Sequence, residues 1–152
     1  MKRIAVVLLL IALMPGMLGC GQGPKSGKGF SLPEGDIERG REAFVTLHCH
    51  ACHTVSGVEL PEVKPEMDIK VRLGGEVAHI STYGELLTSI VNPSHKLASG
   101  YKREDVTKDD GESKMTNYNH AMTVQQLIDL VAFLQSHYTL KPYEPTDYPL
   151  YY

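Results

Sequence analysis

Apolar residues along the chain fall into one unbroken run and three stretches with helical spacing. The unbroken run, Ile4 to Met14, follows Lys2 and Arg3 and is broken by Pro15 and Gly16. It is short of the ~20 apolar residues a spanning helix needs. A basic head, an apolar stretch and small residues before a cut make a secretory signal, expected to be cleaved rather than to span.

The first helical stretch is predicted from about Asp36 to His48. Ile37, Gly40, Phe44 and His48 share one face, and Asp36 can accept the free amides at its start. Glycine costs a helix interior ~1 kcal/mol against alanine, so Gly40 points to close approach by another helix. The second starts near Thr82, where Thr82 and Glu85 have capping-box spacing. Tyr83, Leu86, Leu87 and Ile90 form its apolar face, and Pro93 ends it. The third opens on a second box, Thr123 and Gln126. Leu127, Ile128, Val131 and Leu134 line one face, and Leu130 and Phe133 widen it, which predicts a largely buried helix.

The intervening segments read differently. Residues 54–81 carry Pro61, Pro65 and Gly74-Gly75 and little helix signal, with room for short strands such as Ile69 to Leu73. Ser94 to Lys114 is a polar loop of about twenty residues, a length that is usually functional or disordered. Residues 21–30 are rich in Gly and Lys and read as a flexible tether. The last twelve residues alternate Pro and Tyr and are expected to lie extended over the surface. The predicted organisation is a signal over 1–19, a tether over 20–35, one domain over 36–140 and a tail over 141–152, with no internal repeat.

Charge narrows the partners. Loss of residues 1–19 removes two of the 15 basic groups, leaving 13 against 18 acidic, a net charge of about −5. Such a surface does not suit nucleic acid, and no basic run argues for an anionic membrane surface. Three cysteines remain: Cys20, Cys49 and Cys52. Met17-Leu18-Gly19-Cys20 resembles a bacterial lipoprotein signal, with Met17 where Leu is usual. That resemblance implies acylation of Cys20 and a membrane-anchored protein facing the periplasm or cell exterior. Each buried CH₂ of an acyl chain contributes ~0.8 kcal/mol.

Cys49-His50-Ala51-Cys52-His53 carries the strongest chemistry. Two thiols three residues apart can each add to one vinyl group of a haem, while the next residue, His53, presents its imidazole to the iron. A redox dithiol also uses C-x-x-C, but needs no following histidine. A zinc site needs four ligands, awkward to crowd onto one turn.

Here the chain resembles the class I c-type cytochromes, over most of residues 36–138. Gly40-x-x-x-Phe44 before the cysteines is similar to that family's N-terminal helix. Asp129-Leu130-Val131-Ala132-Phe133-Leu134 is similar to its C-terminal helix, which crosses the first. The spacing from Phe44 to Cys49 is about one residue longer than common. The resemblance implies an all-α fold of about three to five helices around one covalently bound haem c, with Gly40 and Phe44 packed on Phe133.

It also implies an iron ligand ahead of the last helix. Met67, Met115 and Met122 are available after cleavage, and Met115-Thr116-Asn117-Tyr118 fits the family's form, though Thr116 replaces the usual Pro. Met122 reads better as a packing residue, and His95 as a loop histidine bonded to backbone. A proline carbonyl supports the proximal histidine in the family. Pro61 is the nearer candidate and Pro65 the other, although the usual Gly-Pro-x-Leu is absent and both could simply stiffen the loop. Tyr83, Tyr101 and Tyr118 are candidates for haem propionates or for core packing. The remaining histidines, His48, His50, His79, His120 and His137, are expected at or near the surface.

With His53 and Met115 both on the iron, no position is open to substrate. The implied function is single-electron transfer in a membrane-associated respiratory or periplasmic chain, by a carrier rather than an enzyme. Redox proteins would dock transiently at the haem edge. The alternatives are a haem-based redox or gas sensor and a cytochrome subunit of a larger oxidoreductase.

Overall fold

The computed structural model describes residues 30–64 and 68–142. The chain divides into two compact units, 1–31 and 32–152, and of the first only Phe30 and Ser31 are described. Cys20 with its signal, residues 21–29 of the tether, Pro65, Met67 and residues 143–152 of the tail lie outside the described residues.

Helix α1 spans Ile37–Thr46, and Asp36 caps it by accepting from the Arg39 amide at 2.8 Å. It ends two residues before the predicted His48. His48 takes a left-handed conformation, with φ of 56°, and turns the chain out of the helix. Helix α2 spans Tyr83–Val91 and helix α4 spans Val124–Ser136. Both predicted capping boxes form, at Thr82 with Glu85 and at Thr123 with Gln126. Local signals of this kind survive folding because each cap satisfies amides within its own first turn. The Ser94–Lys114 loop is more structured than expected. It contains the short helix α3, Arg103–Val106, and a bridge pairing Thr107 with Ser113.

The all-α expectation holds only in part. Four short strands pair two by two, both pairs parallel. Strand β1, His53–Val55, pairs with β2, Val71–Leu73, in the register His53 to Val71. Strand β3, Gly75–Val77, pairs with β4, Tyr138–Leu140, just after α4. Each strand is three residues long, too short to show a period of two above chance. The β2 strand does fall inside the stretch flagged as strand-like. Among the described residues no helix is long and apolar enough to cross a membrane.

The core forms where α1 meets α4. Phe44, Leu130 and Phe133 are its most completely buried large side chains, and the two phenyl rings sit 5.7 Å apart at a tilt of 58°. Offset or tilted ring pairs at this distance are favourable beyond their area. Gly40 makes the approach possible. A Cβ there would collide with the Asp129 carbonyl and come within 2.6 Å of the Phe133 Cβ. One turn away, buried Asp129 accepts from the Asp36 amide at 2.8 Å, Arg39 Nε at 3.0 Å and Gln125 Nε2 at 3.0 Å. Those bonds, that from Arg39 first, hold its carboxyl below the usual carboxylate range. A buried charge with this many donors is compensated, and it pins the start of α1 to α4.

Replacing Gly40 by alanine therefore opposes two effects. Helix propensity favours the variant by ~1 kcal/mol, whereas overpacking a tight contact costs about 1–3 kcal/mol or more. Because the obstruction is backbone and a Cβ, the clash wins. Gly40→Ala should lower the unfolding free energy of the holoprotein by about 2 kcal/mol in denaturant titration, and a stabilised variant would show that the helices do not meet there.

Candidate functional site

The end of α1 builds the site. After His48 the chain makes a single 3₁₀ turn, Cys49–Ala51, closed by the Ala51 amide on His48 O at 3.0 Å and the Cys52 amide on Cys49 O at 3.2 Å. Both thiols thus lie on one turn, and His53 follows as the first residue of β1. Cys49 and Cys52 are free, unbridged and half-buried. Burial pushes the Cys49 thiol up to about 11, with the neighbouring Cys52 adding to the rise. A working redox dithiol needs a depressed thiol pKa, so this environment argues against that chemistry. Among the described residues no cluster of three or more His, Cys, Asp or Glu is arranged to hold a metal ion.

His53 is half-buried beside Phe44, ring centroids 6.5 Å apart. Burial lowers its pKa, and the Val71 carbonyl, 3.3 Å from Nδ1, opposes that shift. A carbonyl can only accept, so the proton belongs on Nδ1 and the Nε2 lone pair is left available to a metal.

Two adjoining cavities, of about 130 and 400 Å³, share His53, Leu73, Ser89 and Met115 on their walls. The first is apolar, with Phe44, Leu86, Ile90, Met122, Leu130 and Leu134, and Cys49 also lines it. The second is more polar: Arg72, Lys96 and Lys114 line it with His95 and Tyr101, and the carboxylates of Glu85 and Asp105 stand among them. A flat apolar ring with acidic side arms fits this pair: the ring between the greasy walls, the acids toward the cations. The free thiol at the edge and the imidazole on the shared wall suit covalent haem in particular.

Met115, the ligand the resemblance implied, stands on the shared wall of the two cavities. Its amide donates to Ser113 Oγ at 3.2 Å, Ser113 is held by Ser94 Oγ at 3.1 Å, and the Lys114 amide reaches Val106 O at 2.9 Å. Met122 packs on the hydrophobic core and lines only the apolar cavity. Tyr118 is half-buried on the same wall, its hydroxyl pKa raised by burial and then by Cys49. Tyr83 packs against the core. His95 is exposed, with Nδ1 2.8 Å from Asn92 O, the backbone-bonded arrangement expected of it.

Two expectations need correction. The carbonyl at His53 Nδ1 is that of Val71, not Pro61. Pro61 is exposed and lines neither cavity, while the preceding Glu59 carbonyl accepts from Arg41 at 3.0 Å. The parallel pairing of β1 with β2 fills the place beside His53, so no loop proline is needed there. His50 is not at the surface either: it is 7% exposed, and its Nδ1 is buried without a partner. Lys70 lies over that turn, donating to Ala51 O at 2.9 Å and His50 O at 3.4 Å. His48, His79 and His120 are exposed and His137 half-buried.

The residues missed from sequence are Lys70 and Val71, which contact the attachment motif across 18–20 positions. The strand-like reading of Ile69 to Leu73 was their one local signal, and it did not say what the strand would pair with.

No curated protein and no solved structure shows a significant match to the chain. A protein-family model described as Cytochrome c matches residues 37–137. The matched span begins with α1 and closes at the C-cap of α4, taking in the crossing, the thiol turn and both cavities, so this chain belongs to the cytochrome c family: haem-binding electron-transfer proteins whose haem c is covalently attached.

Proposed function

We propose that this chain is a monohaem carrier in which Cys49 and Cys52 hold the haem as thioethers and His53 and Met115 bind its iron. The observation that carries this reading is the shared wall of the two cavities, where His53 and Met115 stand together beside a turn of unbridged thiols. The haem iron supplies a one-electron couple between its ferrous and ferric states.

The protein's own residues set how that couple behaves. The Met115 thioether favours the reduced state and raises the potential. Phe44, Leu86, Leu130 and Leu134 exclude water from one side, which disfavours the extra charge of the oxidised centre. Val71 O holds the imidazole in one tautomer. The apolar cavity reaches the surface at His48, Ser89 and Thr116, which are exposed. A redox partner docks there through a small, transient interface.

The same proposal has the protein outside the cytoplasm, anchored by acyl chains on Cys20. Cys20→Ala should then move the protein from the membrane fraction to the soluble one, and unchanged membrane retention would refute the lipid anchor.

Two variants test the haem site. Acid-acetone should leave haem on the wild-type polypeptide and extract it from Cys49→Ala/Cys52→Ala; haem retained by the double variant would place the attachment elsewhere. Met115→Ala should lower the midpoint potential by on the order of 100 mV, since axial ligands move potentials over a range of about 0.8 V. The reduced variant should also bind carbon monoxide, which the wild type should resist. A Met115→Ala protein with the parent spectrum and potential would exclude Met115 as ligand.

A further inference from the structure

The hydroxyl of Tyr101 lies 3.2 Å from the Arg72 amide and 3.3 Å from the Lys70 carbonyl. It comes from the loop ahead of α3, 29 residues beyond Arg72, and is half-buried. The Arg72 amide and the Val71 carbonyl belong to one peptide group. That group is planar, and in its trans form the N–H and C=O point to opposite sides. Its carbonyl edge meets His53 Nδ1 at 3.3 Å, and its amide edge meets Tyr101. His53 and Tyr101 therefore grip the same plane from two sides.

We infer that Tyr101 is a positioning residue for the haem iron, acting through the Val71–Arg72 peptide on the Nδ1 hydrogen bond of His53. This rests on the reading of His53 as an axial ligand. The Tyr101 oxygen accepts from Arg72, and its own proton goes to Lys70 O, so every group in the chain has a consistent direction. A peptide whose N–H is engaged presents a more negative carbonyl, because linked hydrogen bonds polarise one another. A stronger acceptor on Nδ1 makes the imidazole a better donor at its other nitrogen, which favours the oxidised iron. Rotation of the peptide is also blocked, so the carbonyl cannot leave the ring. Tyr101 thereby links the segment that supports His53 to the loop that runs on towards Met115.

The sign of the effect separates this role from its rivals. Tyr101 also lines the polar cavity, where it could instead donate to a haem carboxylate. Loss of such a donor would leave a negative charge less compensated and lower the potential. Loss of the His53 relay should raise it.

In the full holoprotein, Tyr101→Phe should keep the covalent haem and the ligand spectrum. At a fixed ambient potential the reduced-to-oxidised ratio should rise about threefold, a positive midpoint shift of about 30 mV for one electron. In a Met115→Ala background the iron–histidine stretch of the reduced protein should move to lower frequency. A midpoint that is unchanged or falls overturns the inference. If Tyr101→Phe does not accumulate, the Arg72 amide of the reduced wild type decides: slow hydrogen exchange is expected, and exchange at the rate of an open amide overturns it. A His53→Ala protein with the wild-type spectrum would instead defeat the axial-ligand reading itself.

Discussion

Everything in the domain hangs on the contact between α1 and α4 at Gly40. Backbone meets side chain there with no room for a methyl group, and the helices are fixed by shape rather than by area alone. The crossing positions α1 against α4, and with it the attachment turn that follows α1. It also sets the face of α4 from which Leu130 and Leu134 line the apolar cavity while Phe133 packs on Phe44. A looser contact would separate the thiols and the imidazole from the wall they must face. The buried Asp129, tied to Asp36 and Arg39, adds direction to that contact, since only one register satisfies its bonds.

The chemistry of the turn follows from where the crossing puts it. Burial pushes the Cys49 thiol up to about 11 and lowers the His53 imidazole. Both are poor states for a thiol catalyst. They suit a site where two sulfurs are consumed in permanent bonds and a nitrogen lone pair is held ready for iron. The split between one apolar and one more polar cavity, with Arg72, Lys96 and Lys114 on the latter, suits a ligand that is itself split, with an aromatic plane and acidic arms.

What was legible in the sequence was what depends on neighbours within a turn. The three N-caps at Asp36, Thr82 and Thr123, the glycine at the crossing and the C-x-x-C-H turn are local patterns, and each reappears in the fold. The end of α1 was not legible, because the left-handed turn at His48 answers to the demands of the following residues. Nor were the strands, whose three residues each gain meaning only from a partner such as Tyr138–Leu140 beside Gly75–Val77. His50 is buried in a turn whose carbonyls accept from Lys70, twenty residues away, a contact that no local pattern announces. Pro61 failed for a related reason. A role carried over by resemblance assumed a loop that this chain replaces with a strand.

That replacement has physical consequences. A loop carbonyl can swing unless its own chain is stiff, and proline is one way to stiffen it. A strand carbonyl is stiffened by its partners instead. Val71 donates its amide to Cys52 O at 2.7 Å and offers its carbonyl to His53, so two adjacent residues of the attachment motif hold one residue of β2. Ser56 extends the hold to Leu73 O at 2.9 Å, and Lys70 caps the carbonyls the 3₁₀ turn leaves over. The support of His53 is thus distributed over backbone bonds that form or fail together, rather than resting in one rigid residue. The Arg72 side chain is then held by Ser56 Oγ at 3.0 Å and lines the polar cavity without taking part in the hold on the imidazole.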